Sequence, residues 1–135
     1  MDIEILGKEV RFLVPMLRNS DRQLHAISQW EWVENEMYAE FPNGWQQREV
    51  ERTDTTVRGT VRGGWFDKDN NENVPDDSVE FVVALPPDQM TTVYALFEEI
   101  CERFDQKCLY FTIGGDAALY HPTKERDRET GPGPA

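Results

Sequence analysis

Apolar and polar positions alternate along "EVRFLVPML", with Val10, Phe12, Val14 and Met16 on one side and Arg11, Leu13 and Leu17 on the other. That is the period of two expected of a strand covered on one face. The next stretch, "NSDRQ", sets Ser20 and Gln23 at capping-box spacing and predicts a helix that starts at Ser20. Leu24, Ile27, Trp30, Val33, Met37 and Phe41 then recur at helical spacing until Pro42, Asn43 and Gly44 stop the run. "WQQREVER" keeps neither period. Alternation returns in "TTVRGTVRGGWF", where Val57, Gly59, Val61 and Gly63 stand opposite Arg58, Thr60, Arg62 and Gly64. "SVEFVVALP" places Val79, Phe81, Val83 and Leu85 on one face, and the polar loop between these two stretches predicts a hairpin. A second helix opens at Pro87 or Asp88 and carries Val93, Leu96, Phe97, Ile100 and Phe104 on its apolar stripe. "KCLYFTIGGDAALYH" predicts a strand, a tight turn over Gly114 to Asp116, and a short returning strand.

Strand, helix, strand, strand, helix, strand is the order of an α+β, ferredoxin-like βαββαβ sandwich, in which an antiparallel sheet has both helices on one face and leaves the other open. The chain of 135 residues is long enough for one domain with a proper core, assigned here to residues 1–121. Residues 122–135, "PTKERDRETGPGPA", have a charged, Gly/Pro-rich composition expected to stay disordered. Gly63 to Trp65, Asp77 with Ser78, and Phe104 to Gln106 match a "GxW", a "DS" and an "FxQ". By these motifs, spread over residues 10 to 120, the chain resembles a family of small bacterial proteins. The resemblance implies the fold and brings no activity to these positions.

The formal net charge of -12 sets the sequence against a nucleic-acid backbone or an anionic membrane surface as its direct partner, because both would be repelled. The apolar stretch near the N-terminus is broken by charges and no run is long enough to cross a bilayer, so a cytoplasmic protein is expected. Cys101 and Cys108 are spaced as neither a CxxC pair nor a zinc knuckle and read as small buried hydrophobes.

"GGWFDKDNNENVPDD" raises the question of a calcium loop. Asp67, Asp69 and Asn71 fill the first alternating ligand positions of an EF-hand, but Glu72 stands where the glycine is required and Ser78 where the bidentate Glu belongs. A solvated turn is the reading that fits, and neither a metal nor a cofactor is expected. His25 and His121 lack an HxxxH or HExxH companion and read as surface or half-buried residues. No GxSxG, P-loop or dinucleotide glycine pattern occurs, so no catalytic residue is assigned.

What remains is the open face. Carried across three strands, the alternation places Arg11, Arg58 and Arg62 there, a basic stripe in an acidic chain. Trp45 and Trp65 would roof that face or cap its edge. Trp30 and Trp32 cannot both face the core, so one is exposed or covered by a partner. The leading expectation is a small non-catalytic cytoplasmic binding or accessory module, using this face to dimerise, to hold a protein partner or to bind a small anionic ligand. The alternative is a compact enzyme whose pocket lies between the face and Trp45 or Trp65, with His25, His121 or an acidic residue as acid or base. A second alternative is an acidic mimic of nucleic acid that occupies a basic protein.

Overall fold

The computed structural model describes residues 1–48, 51–52, 57–58 and 61–123. β1 (Lys8–Pro15) is the middle strand of a five-stranded sheet. Its neighbours are β7 (Ser78–Leu85) and β8 (Leu109–Ile113), with β2 (Trp45–Arg48) outside β7 and β9 (Asp116–Tyr120) outside β8. Every pairing is antiparallel. The register sets Val10 against Val83, Phe12 against both Phe81 and Phe111, and Val14 against Val79, so the apolar positions of three strands fall on one side.

Two helices cover that side. α1 (Ile27–Glu40) buries Trp30, Val33 and Met37, and α2 (Met90–Arg103) buries Val93, Leu96, Phe97, Ile100 and Cys101. Phe97 is the hub, with its ring centroid 5.0 Å from Phe12, 5.1 Å from Phe111 and 5.6 Å from Tyr120. The α+β class, the antiparallel sheet and the two helices are thus observed. The sheet holds five strands rather than four, and two further ladders lie between β2 and β7 in the chain: β3 (Glu51–Arg52) with β4 (Val57–Arg58), and β5 (Gly64–Asp67) with β6 (Glu72–Pro75). The strand predicted over "TTVRGTVRGGWF" therefore belongs to two hairpins, and its residues 55, 56, 59 and 60 lie outside the described ones. So do residues 124–135, most of the predicted tail. The returning strand β9 is present. Ile113 pairs with Asp116 across Gly114 and Gly115, whose φ of 54° and 96° give the left-handed two-residue turn that suits a hairpin.

The first helix departs from its expected start. It begins at Ile27 after Ala26, and no side chain caps it. Ser20 is engaged elsewhere: Leu17 bridges to Leu24, the Arg18 amide donates to the Gln23 carbonyl at 2.9 Å, and Arg22 takes a φ of 58° to close the turn. The Ser20 amide and hydroxyl both donate to the Asp105 carboxylate, the amide at 2.8 Å. Burial works to raise the Asp105 pKa, but these hydrogen bonds and the Arg18 charge outweigh it and hold the carboxyl below its ordinary value. Ser20→Ala should therefore cost about 1 kcal/mol through a lost tie between two loops, not a lost cap. The check is a double-mutant cycle in denaturant: once Asp105 is alanine, the Ser20 change should cost little more.

His25, expected at the surface or half-buried, is buried. Its ring lies 5.6 Å from Trp30 and 4.6 Å from Phe104, and Nε2 is 2.8 Å from the Pro15 carbonyl, which makes that nitrogen the donor. Burial lowers its pKa below 6.5, with the Arg18 charge adding and the Pro15 bond, Asp105 and Asp21 opposing. The unfolded chain then binds the proton more readily than the folded one, so this contribution is complete above the ordinary value and is lost as pH falls below about 6.5. The denaturant midpoint should drop over that interval, and His25→Phe should flatten the drop. Of the tryptophan pair, Trp30 is buried, while Trp32 is neither exposed nor left for a partner: half-buried against the core, it lies 4.3 Å beneath the Arg103 guanidinium.

Candidate functional site

Because side chains alternate along each strand, the residues between the core positions build the side of the sheet away from the helices. The pairing aligns them in rows. Arg48 stands opposite Glu80, and Glu80 opposite Leu13. One further step of the β1–β8 ladder brings Tyr110 beside Leu13, and Tyr110 pairs with Leu119. The adjacent row runs Gln46, Val82, Arg11, Thr112, Ala117.

One end of this surface is ionic. The Glu80 carboxylate, with its side chain 14% exposed, accepts from Arg11 Nη1 at 3.1 Å and lies 3.4 Å from Arg48 Nε. Arg11 also grips Glu9, through Nε at 2.8 Å and Nη2 at 2.7 Å. Val82, beside this network, is only 7% exposed although it faces away from the helices. The other end is apolar and accessible, with Tyr110 45% and Leu119 55% exposed.

The residues singled out by sequence separate in space. Arg11 lies on the open face, within the ion pairs just described. Arg58 belongs to β4 and pairs with Glu51 in a separate two-stranded ladder; its side chain lies outside the described residues. Arg62 is exposed between Val61, which bridges Ser78, and the start of β5. The basic stripe expected across three strands is therefore not assembled on one sheet. Trp45 points to the helix side, with its ring 5.0 Å from Tyr38 and 6.3 Å from Phe81, and closes the edge of the core. Trp65 is 46% exposed on the β5–β6 hairpin, where it pairs with Val74 and helps line a shallow hollow of about 520 Å³ made by that hairpin alone. The hollow belongs to a separate two-stranded ladder and shares no residue with the ionic end of the sheet.

The acidic turn at the hairpin tip is held by its own groups. The Asp67 carboxylate accepts from the Asn70 side chain at 2.8 Å and from the Asp69 amide at 3.0 Å, and the Asn70 bond lowers its pKa against the effect of desolvation. The cysteines offer no activated nucleophile: burial raises the Cys108 thiol and pushes Cys101 up to about 12, so both stay protonated near neutral pH. His121 is exposed after β9. Sequence reasoning missed Arg48, Glu80 and Tyr110 as one surface. The parity of Glu80 and Tyr110 was visible in their strands, whereas the row they share depends on register, which alternation leaves free.

No family model and no curated protein matches the chain. Two solved structures share its fold. One is a phage SAM lyase in its apo state, 15% identical with a TM-score of 0.57, the match covering 91% of this chain and 98% of that one. The other is a phage SAM lyase in complex with S-methyl-5'-thioadenosine, 17% identical with a TM-score of 0.56, the match covering 90% of this chain and 94% of that one. At such identity the likeness shows the fold. Both solved structures are of a SAM lyase, an enzyme, so the comparison contradicts the leading expectation of a non-catalytic binding module and backs the compact-enzyme alternative better. Among the described residues, no helix is long and apolar enough to cross a membrane.

Proposed function

We propose that this chain is a small enzyme that cleaves S-adenosylmethionine, or a close sulfonium nucleoside, on the open face of its sheet. The observation that carries the reading is the likeness to a phage SAM lyase along nearly the full length of both chains. The neighbouring strands β2-β7-β1-β8 are read as a split βαβ core, with β9 added at its edge.

The chemistry suits the residues on that face. In such a cleavage the bond between sulfur and the γ-carbon of the amino-acid chain breaks, and its electron pair stays on sulfur, which leaves as neutral S-methyl-5'-thioadenosine. The γ-carbon is satisfied within the remaining fragment, either by closure of its own carboxylate oxygen onto it or by loss of a β-proton to water. The leaving sulfur needs no proton and the step needs no oxidant. An enzyme for it must grip a cationic amino-acid nucleoside and hold the reacting chain, which asks for placed charges and an apolar platform more than for a nucleophile. A chain of net charge -12 also attracts a cationic substrate. Titration calorimetry tests the binding half of this reading: S-adenosylmethionine and S-methyl-5'-thioadenosine should give saturable heats, and absence of heat with both ligands would overturn it.

A further inference from the structure

We infer that the row Arg48–Glu80–Leu13–Tyr110–Leu119 is the substrate cradle, with the amino-acid end of the ligand on Glu80 and Arg11 and its adenine on Tyr110. The inference rests on the reading of the chain as an S-adenosylmethionine enzyme and names the residues of that site. Its basis is the graded chemistry of the row. The ionic end alternates guanidinium and carboxylate in the order Arg48, Glu80, Arg11, Glu9, with contacts between 2.7 and 3.4 Å. An amino-acid zwitterion has the matching pair of charges side by side, its carboxylate for a guanidinium and its ammonium for a carboxylate. The far end offers the exposed Tyr110 ring, with Leu119 across the ladder, a flat apolar platform of the kind on which a base stacks.

Dimensions agree. Glu80 and Tyr110 are two strand spacings apart, about 10 Å at roughly 4.8 Å each. In S-adenosylmethionine the α-carbon and the adenine nitrogen on the ribose are separated by about eight bonds, roughly 10 Å when extended. A ligand anchored at both ends therefore lays its sulfur over the middle of the row, which is Leu13. An apolar floor there disfavours the sulfonium relative to the neutral thioether that cleavage produces, so it helps the bond break. The Trp65 hollow is built by the separate β5–β6 hairpin and shares no residue with this row.

Calorimetry on the wild type and three variants, each first shown to melt cooperatively, decides the matter. Tyr110→Ala should weaken both S-adenosylmethionine and S-methyl-5'-thioadenosine by about 10-fold or more, the loss expected for one stacked base. Arg11→Met should weaken S-adenosylmethionine by about 10-fold and leave S-methyl-5'-thioadenosine within about 2-fold, because that ligand has no amino-acid end. Trp65→Ala should change neither. Wild-type affinity for both ligands in Tyr110→Ala and Arg11→Met would overturn the cradle while leaving the enzyme reading intact, and a loss confined to Trp65→Ala would move the site to the hairpin. If the wild type binds neither ligand, the reading of the chain as a sulfonium enzyme fails first.

Discussion

Glu80→Gln should lower turnover of S-adenosylmethionine by about 10- to 100-fold, the range expected when a charged hydrogen-bonding group that positions a substrate is lost. Glu80 is the pivot of the ionic end of the row, with Arg11 on one flank and Arg48 on the other. The neutral amide cannot hold both guanidiniums as a carboxylate does. Arg11 still has Glu9, so the face should keep its shape while the zwitterion's ammonium loses its charged partner. Stability should change by less than about 1 kcal/mol, because the pairs are partly solvated and such pairs contribute little. Initial-rate kinetics beside a denaturant melt separates the two effects. A variant as active as the wild type would remove Glu80 from the site, and one that loses activity only by unfolding would make it a structural residue.

Phe97→Ala should carry the largest stability cost, about 3 to 5 kcal/mol. The side chain is fully buried and its ring meets Phe12, Phe111, Tyr94 and Tyr120, so the cavity would open at the junction of α2 with three strands. Against a total stability of about 5 to 15 kcal/mol for a domain of this kind, the loss brings the fold close to its limit. It should be read as a fall in denaturant midpoint at an unchanged slope. Tyr94→Ala, at a half-buried ring on the same helix, should cost clearly less.

How far the sequence could be read follows from what each element depends on. β1, β7 and α2 are set by local periodicity, and the residues the pattern names are buried: Val10, Phe12 and Val14; Val79, Phe81, Val83 and Leu85; Val93, Leu96, Phe97 and Ile100, with Val82 and Cys101 buried besides. Ser20 misled because the group that claims it, Asp105, lies 85 residues away, and no local rule weighs a distant carboxylate against a helix cap. His25 misled for a similar reason: the aromatic box of Trp30 and Phe104 that accepts it closes only in three dimensions. The expected stripe of Arg11, Arg58 and Arg62 carried one alternation through a segment where the chain leaves the main sheet, and pairing with Glu51 takes Arg58 into a separate ladder. Glu80 and Tyr110 could be assigned a side from their strands, but only the registers of β7 with β1 and of β1 with β8 place them in one row.

The proposed reaction of this chain is cleavage of a sulfonium nucleoside. The most direct measurement is chromatographic detection of S-methyl-5'-thioadenosine after incubation of the purified protein with S-adenosylmethionine, against the spontaneous breakdown of the compound alone. Product accumulating in proportion to enzyme concentration, and falling sharply with Glu80→Gln, is the predicted result. Product no faster than spontaneous breakdown at high enzyme concentration, from protein that melts cooperatively, would contradict the account.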